Sequence, residues 1–284
     1  PLRGLIQKHG PDLVRINIIC SNEGLDDADW RTESMSGYMN RLMYIAELVD
    51  TIKAAKKTKA ENAEKHLMSR LQNIVKNTTD QYAAAKFRSA VTYALFEATN
   101  EFRWYIRRTG GTAKANKKTL VQCIETVLKM LAPLTPHLCE ELWSRLGNKK
   151  LIALEPWPRE STKMRDLEAE AAEELVKKTI NDVDGIRKIV KGNTKRATIF
   201  VAEDWKFRVH AKVLENKDKR INEITQEIMK SDMRTYGNAT IQYIQSLYKP
   251  INELKPIMSR SKQLATLREA QQFIATETGL KIKI

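Results

Sequence analysis

A chain of 284 residues with 42% hydrophobic side chains is long enough to bury a sizeable core and exceeds the usual size of one domain. Its 49 Lys and Arg against 35 Asp and Glu leave a formal charge of +14, which suits a polyanionic partner as well as plain solubility. The three cysteines, Cys20, Cys123 and Cys139, form no CxxC pair, and no stretch approaches the roughly 20 apolar residues of a membrane span. A reducing, cytoplasmic setting is expected, without structural zinc and without a membrane partner. The opening Pro1-Leu2-Arg3-Gly4 lacks Met and already carries an apolar period, as the interior of a longer polypeptide would.

From Tyr38 the apolar positions Leu42, Ile45, Val49 and Ile52 keep to one helical stripe, which ends in the lysines 53–59. A second stripe uses Leu67, Leu71 and Ile74, and a third runs from Phe87 through Leu95 and Phe102 to Tyr105, ending at Gly110-Gly111. A fourth uses Leu120, Ile124, Val127 and Leu131. Four long stripes with short polar connections predict an antiparallel helical bundle. In Pro133-Leu134-Thr135-Pro136, Thr135 suits the cap of a further helix through Leu138 and Trp143, with Pro136 in its first turn. Pro156 and Pro158 break regular structure, and the charged 159–165 reads as a linker.

The second half mixes periods. A helix with Leu175, Ile180, Val183, Ile186 and Val190 precedes the β-branched 197–201, a strand candidate, and helices are expected near 203–215 and 217–230. Irregular structure is expected around Gly237, Pro250 and Pro256, then a helix through Leu264, Leu267 and Ile274 to Gly279. The closing Leu280-Lys281-Ile282-Lys283-Ile284 alternates strictly, so a strand there has one apolar and one basic face. The expected fold is mainly α: a leading segment 1–32, an antiparallel bundle over 33–165, and a small α/β domain over 166–284.

Catalytic constellations are missing. No Gly-rich phosphate loop or HExxH motif occurs, and the pairs Glu140-Glu141, Glu173-Glu174 and Asp26-Asp27 read as solvated faces. His137 and Cys139 stand two apart, on different faces of a helix, which disfavours a metal site. None of the histidines has a recognisable nucleophile partner, so no catalytic residue and no cofactor is expected within this stretch.

The segment Leu131 to Trp143, LAPLTPHLCEELW, followed by LEPWP at 154–158, closely resembles the bundle motif of class I aminoacyl-tRNA synthetases for leucine, isoleucine and valine. Leu5 to Arg15 is similar to that family's KYGAD.LR segment, with Pro11 in place of the usual Ala, and Glu23-Gly24-Leu25-Asp26-Asp27-Ala28-Asp29-Trp30 resembles leucyl enzymes of archaea and eukaryotes. The resemblance implies an anticodon-binding-type bundle with His137 and Trp143 as core or interhelix residues. It also implies leucine tRNA as partner rather than DNA, with ATP and Mg used by a full-length enzyme whose HIGH, KMSKS and editing regions lie before Pro1. An isoleucyl or valyl enzyme, or a basic helical scaffold outside the synthetases, stays open at this stage.

Under this reading the RNA-binding candidates in the bundle are Arg103, Arg107, Arg108, Lys114, Lys117 and Lys118, which flank the Gly110-Gly111 break. Trp104 and Tyr105 interleave, as stacking platforms or as core. Lys188, Lys191, Lys195 and Arg196 precede the first strand, and Lys281 and Lys283 share one face of the last. Those two lysines also suit protection of a sheet edge.

Overall fold

A computed structural model describes residues 2–23, 32–55, 61–190, 194–248 and 251–284, which fall into two compact units, Pro1–Glu170 and Ala171–Ile284. The first unit opens with α1 (Leu2–His9) and α2 (Pro11–Ile19), followed by α3 (Thr32–Thr51) and α4 (Glu61–Ala83). A long helix follows as α5 (Phe87–Val91), a π-helical turn (Thr92–Glu97) and α6 (Ala98–Thr109), then α7 (Lys117–Leu131) and α8 (Pro136–Arg145). The stripes seen in the sequence are the buried faces: Leu42, Ile45, Leu67, Ile74, Leu95, Phe102, Leu120, Ile124 and Leu131 join one core.

Side-chain pairs give the directions. Tyr82 meets Phe87 while Arg70 reaches back to Glu97 and Glu101, so α4 runs antiparallel to the long helix. Glu64 holds Asn116 and the Tyr82 hydroxyl donates to Met130 O, so α7 runs parallel to α4. Tyr38 touches Phe96 edge-on and Arg41 bonds Thr99 and Asn100, so α3 runs alongside the long helix in the same direction. Chain neighbours in the bundle therefore alternate up and down.

Two local expectations change. Thr135 does not cap α8 with its side chain, because its hydroxyl is turned back to Leu131 O and Cys139 Sγ. Asp12 of α2 supplies the cap instead: its Oδ2 accepts from Leu138 N–H at 2.7 Å, and its Oδ1 lies 2.8 Å from His137 Nδ1. His137 is consequently an interhelix residue with a mostly exposed ring, whereas Trp143 is buried and donates to Lys150 O. The charged 159–165 is not a free linker either. Gln72 accepts from Ser161 N–H, Ser69 Oγ accepts from Asp166 N–H, and Trp157 donates to Thr79, so this stretch lies pinned along the polar face of α4. Two of the carboxylate pairs are not simply solvated either, since Glu140 accepts from the backbone N–H groups of Ile152 and Ala153 and Glu173 is buried, while Asp26-Asp27 lies outside the described residues.

The second unit takes most of α9 (Leu167–Ile189), then β1 (Arg196–Thr198), α10 (Asp204–Glu215), α11 (Ile221–Met229), α12 (Asn238–Tyr248), α13 (Arg260–Thr278) and β2 (Lys281–Lys283). The strands pair in parallel, Arg196 opposite Lys281, Ala197 opposite Ile282 and Thr198 opposite Lys283. The first strand is shorter than the β-branched run suggested, and Phe200 beyond it is exposed. α12 was expected to be irregular. It forms because Ile244 docks into a core with Trp205, Val209, Val213, Ile224 and Ile228, a burial that outweighs weak local signals.

Candidate nucleic-acid interface

Five of the six basic candidates of the bundle flank the corner where α6 turns into α7, and Arg103 stands a further turn back along α6. Gly110 takes a left-handed φ of 78°, its N–H reaching Arg107 O and the Gly111 N–H reaching Ile106 O. This pair of bonds satisfies the last carbonyls of α6 and stops the helix immediately after Arg107 and Arg108. Lys114 stands in the short turn Thr112–Lys114, and its side chain passes over Gly110. Asn116 caps α7 by accepting from Thr119 N–H at 3.2 Å. Lys117 and Lys118 occupy the first turn, where the helix dipole disfavours cations by about 0.3–1 kcal/mol each. Helix stability therefore does not account for these two lysines, and their side chains are exposed.

The two aromatic residues between the arginines are core. Tyr105 is fully buried, its hydroxyl accepting from Asn116 N–H at 2.9 Å, and burial raises its pKa to about 12. Trp104 is 7% exposed, and Arg107 lies over its ring at 5.5 Å. The ring is thus spent on holding an arginine and offers no open stacking platform. Arg103 is held in the same way across the seam to α3, its guanidinium 4.7 Å from the Tyr44 ring centre.

One residue of this surface escaped the sequence. Arg41 of α3 donates through Nη1 to Thr99 Oγ1 at 2.7 Å and to Asn100 Oδ1 at 2.5 Å, and it lies over the Phe96 ring at 5.3 Å. Only its place as the one basic residue in the middle of an otherwise uncharged stripe segment, 36–46, could have flagged it.

In the second unit, the parallel pairing puts Arg196, Lys281 and Lys283 on one exposed face and Ala197 with buried Ile282 on the other. Lys195 is exposed next to them, its carbonyl accepting from Lys281 N–H at 3.0 Å. Lys188 is exposed in the last turn of α9, whose Arg187 ties that helix end to Thr278 O, just before β2. Lys191 lies outside the described residues. Gln271 of α13 donates to Ile282 O at 2.7 Å, so the strand carrying Lys281 and Lys283 is anchored to a long helix.

Buried thiols add no chemistry: burial pushes Cys20 and Cys139 up to about 12 and raises Cys123 as well, so all three stay protonated near neutral pH. Among the described residues no group of His, Cys, Asp and Glu is placed to hold a metal ion, and no helix is long and apolar enough to cross a membrane.

Comparison with known proteins places this geometry. Residues 64–201 match the family described as the anticodon-binding domain of tRNA ligase. Leucine–tRNA ligases of Pyrococcus horikoshii and Pyrococcus furiosus are 31% and 32% identical over 98% of the chain, and that of Archaeoglobus fulgidus is 30% identical over 99%. The chain spans 29% of the length of these relatives. A solved LeuRS of Agrobacterium radiobacter K84, in ternary complex with tRNA and LeuAMS, shares the fold over 58% of this chain and 21% of its own, with a TM-score of 0.50 at 20% identity. The matched domain and the extent of the similarity agree with the helical architecture: the chain is similar over nearly all its length to leucine–tRNA ligases, and residues 64–201 match the anticodon-binding domain of tRNA ligase.

Proposed function

We propose that this chain grips leucine tRNA for a leucine–tRNA ligase acting in the cytoplasm, the parent enzyme joining leucine to the tRNA at the expense of ATP with Mg. The observation that carries the reading is the α6–α7 corner, where Arg107, Arg108, Lys114, Lys117 and Lys118 flank a capped helix hairpin inside the matched domain, with Arg103 one turn behind. Fixed cations on rigid elements suit recognition by phosphate neutralisation and shape, which is what a folded A-form RNA presents. Lys188, Lys195, Arg196, Lys281 and Lys283 give the 166–284 domain a second basic face, and the long variable arm of leucine tRNA offers the extra phosphates it would meet. The domain limits 1–32, 33–165 and 166–284 belong to the same proposal.

The test compares binding of purified leucine, isoleucine and serine tRNAs to the 284-residue chain at one salt concentration. Preference for leucine tRNA supports the reading, equal binding of all three reduces it to nonspecific charge, and preference for isoleucine tRNA overturns it.

A further inference from the structure

Several arginines of this protein meet carboxylates. Arg70 pairs with Glu101, Arg145 with Glu141, and Arg208 makes two 2.7 Å bonds to Asp232. Arg41 and Arg103 are held differently. Among the described residues no carboxylate lies within ion-pair distance of either, and they stand on facing helices one turn apart, Arg41 reaching Thr99 and Asn100, and Arg103 reaching back to Tyr44.

What holds them is neutral. Among the described residues Arg41's hydrogen bonds all use Nη1, including a longer one to Phe96 O at 3.5 Å, which leaves Nε–H and the Nη2 hydrogens to face a ligand. Phe96 lies within the π-helical turn, an irregularity often found at functional sites, and its carbonyl accepts from both Thr99 Oγ1 and Arg41. Arg103 is exposed and, among the described residues, rests on the Tyr44 ring. The neighbouring charges oppose each other: burial and then Arg103 push the Arg41 pKa down. Two guanidiniums held on facing helices one turn apart, near enough for each to feel the other's charge, gain from a tetrahedral oxyanion between them, and their rings and side-chain acceptors have already restricted them.

We propose that Arg41 and Arg103 form a preset clamp for one phosphodiester of the RNA backbone, at the seam of α3 and α6. The inference rests on the tRNA reading and adds to it a specific site and a residue, Arg41. Arg103 and Arg107 stand one turn apart on α6, so the clamp continues the charged corner toward the middle of the bundle.

The experiment measures binding of leucine tRNA to the 284-residue chain across a salt series, for the unaltered protein, R103K, R41K/R103K, R41Q/R103Q and the charge-matched control K149Q/K163Q, with thermal unfolding of each. R41Q/R103Q should lose roughly tenfold in affinity and lower the log–log salt slope by about 0.7–0.9, the value for one phosphate. R41K/R103K keeps the charge but loses the forks, and should lose most of the same affinity. R103K, which alters only a ring contact, keeps the test valid if Arg41 variants unfold. Unchanged affinity of the folded lysine variants, or an equal loss in K149Q/K163Q, overturns the clamp alone. No binding by the unaltered chain overturns the tRNA reading together with the clamp.

Discussion

The two basic faces are mounted differently. In the first unit the cations ride on α6 and α7, joined by a glycine cap and backed by a continuous core from Leu13 to Ile152. In the second unit Arg196, Lys281 and Lys283 stand on two strands of three residues each, and the local core around Trp205 is smaller. Charge at a rigid corner is already placed when RNA arrives, whereas charge on a minimal sheet depends on the helix behind it. The first unit should therefore supply affinity that depends on exact side chains, and the second affinity that depends on total charge.

The comparison breaks most visibly under core truncation. Phe102→Ala, at a site 1% exposed in the first unit, should cost about 3–5 kcal/mol, and its effect should be confined to 2–170. Peptide-resolved hydrogen exchange checks this. Opening should accelerate in α4, α6 and α7 while α10 and α12 keep their protection. All three cysteines lie in the first unit, so thiol labelling, slow in the native chain because burial keeps them protonated, should speed up together with it. Acceleration across both units would show that they unfold as one.

The next effect is on RNA. Arg107→Ala with Arg108→Ala should lower the log–log salt slope of leucine tRNA binding by about one to two, and Lys281→Ala with Lys283→Ala by no more than that. The two pairs separate when the variable arm is shortened. The strand pair should then lose its effect while the corner pair keeps it. If both pairs respond alike to the arm, the division of labour is wrong.

Much of this was readable beforehand, for a physical reason. The stripes from Leu42 to Leu131 are long and regular, and burial on one face leaves few other ways to fold them. The alternation of Lys281, Ile282 and Lys283 came out as expected, with Ile282 alone buried. What the sequence hid were decisions taken between distant segments. Asp12 caps α8 across about 126 residues, α12 exists because Ile244 finds the Trp205 core, and Trp104 and Tyr105 could stack or pack until the helices around them were placed. Arg41 was hidden for the same cause, since its partners lie 58 and 59 positions away.

A smaller effect tests the corner's rigidity. Gly110→Ala meets only ordinary contacts, with Lys114 at 3.6 Å, but forces a Cβ into left-handed backbone at φ 78°, which costs about 1–2 kcal/mol. If the corner acts by preset geometry, tRNA affinity should fall along with stability although no charge has changed. Intact affinity in a folded G110A chain would mean that the six cations need no fixed arrangement.

The smallest effect concerns pH and belongs to the second unit. His210 of α10 is 5% exposed, beside Arg208, which is bound to Asp232, and burial holds its pKa below the usual 6.5. The folded chain thus binds this proton less readily than the unfolded chain does. Stability from His210 is complete above about pH 6.5 and is lost as the pH falls below it, because the unfolded state gains a proton that the folded state resists. Hydrogen exchange of 204–215 should therefore be better protected at pH 7.5 than at pH 5.5, after correction for the intrinsic pH dependence of exchange. His210→Leu should flatten that difference in the second unit while leaving any pH response of the bundle as it was. A difference of unchanged size in the variant would assign the pH response to other groups. A flattened one would assign the acid sensitivity of the second unit to the buried His210.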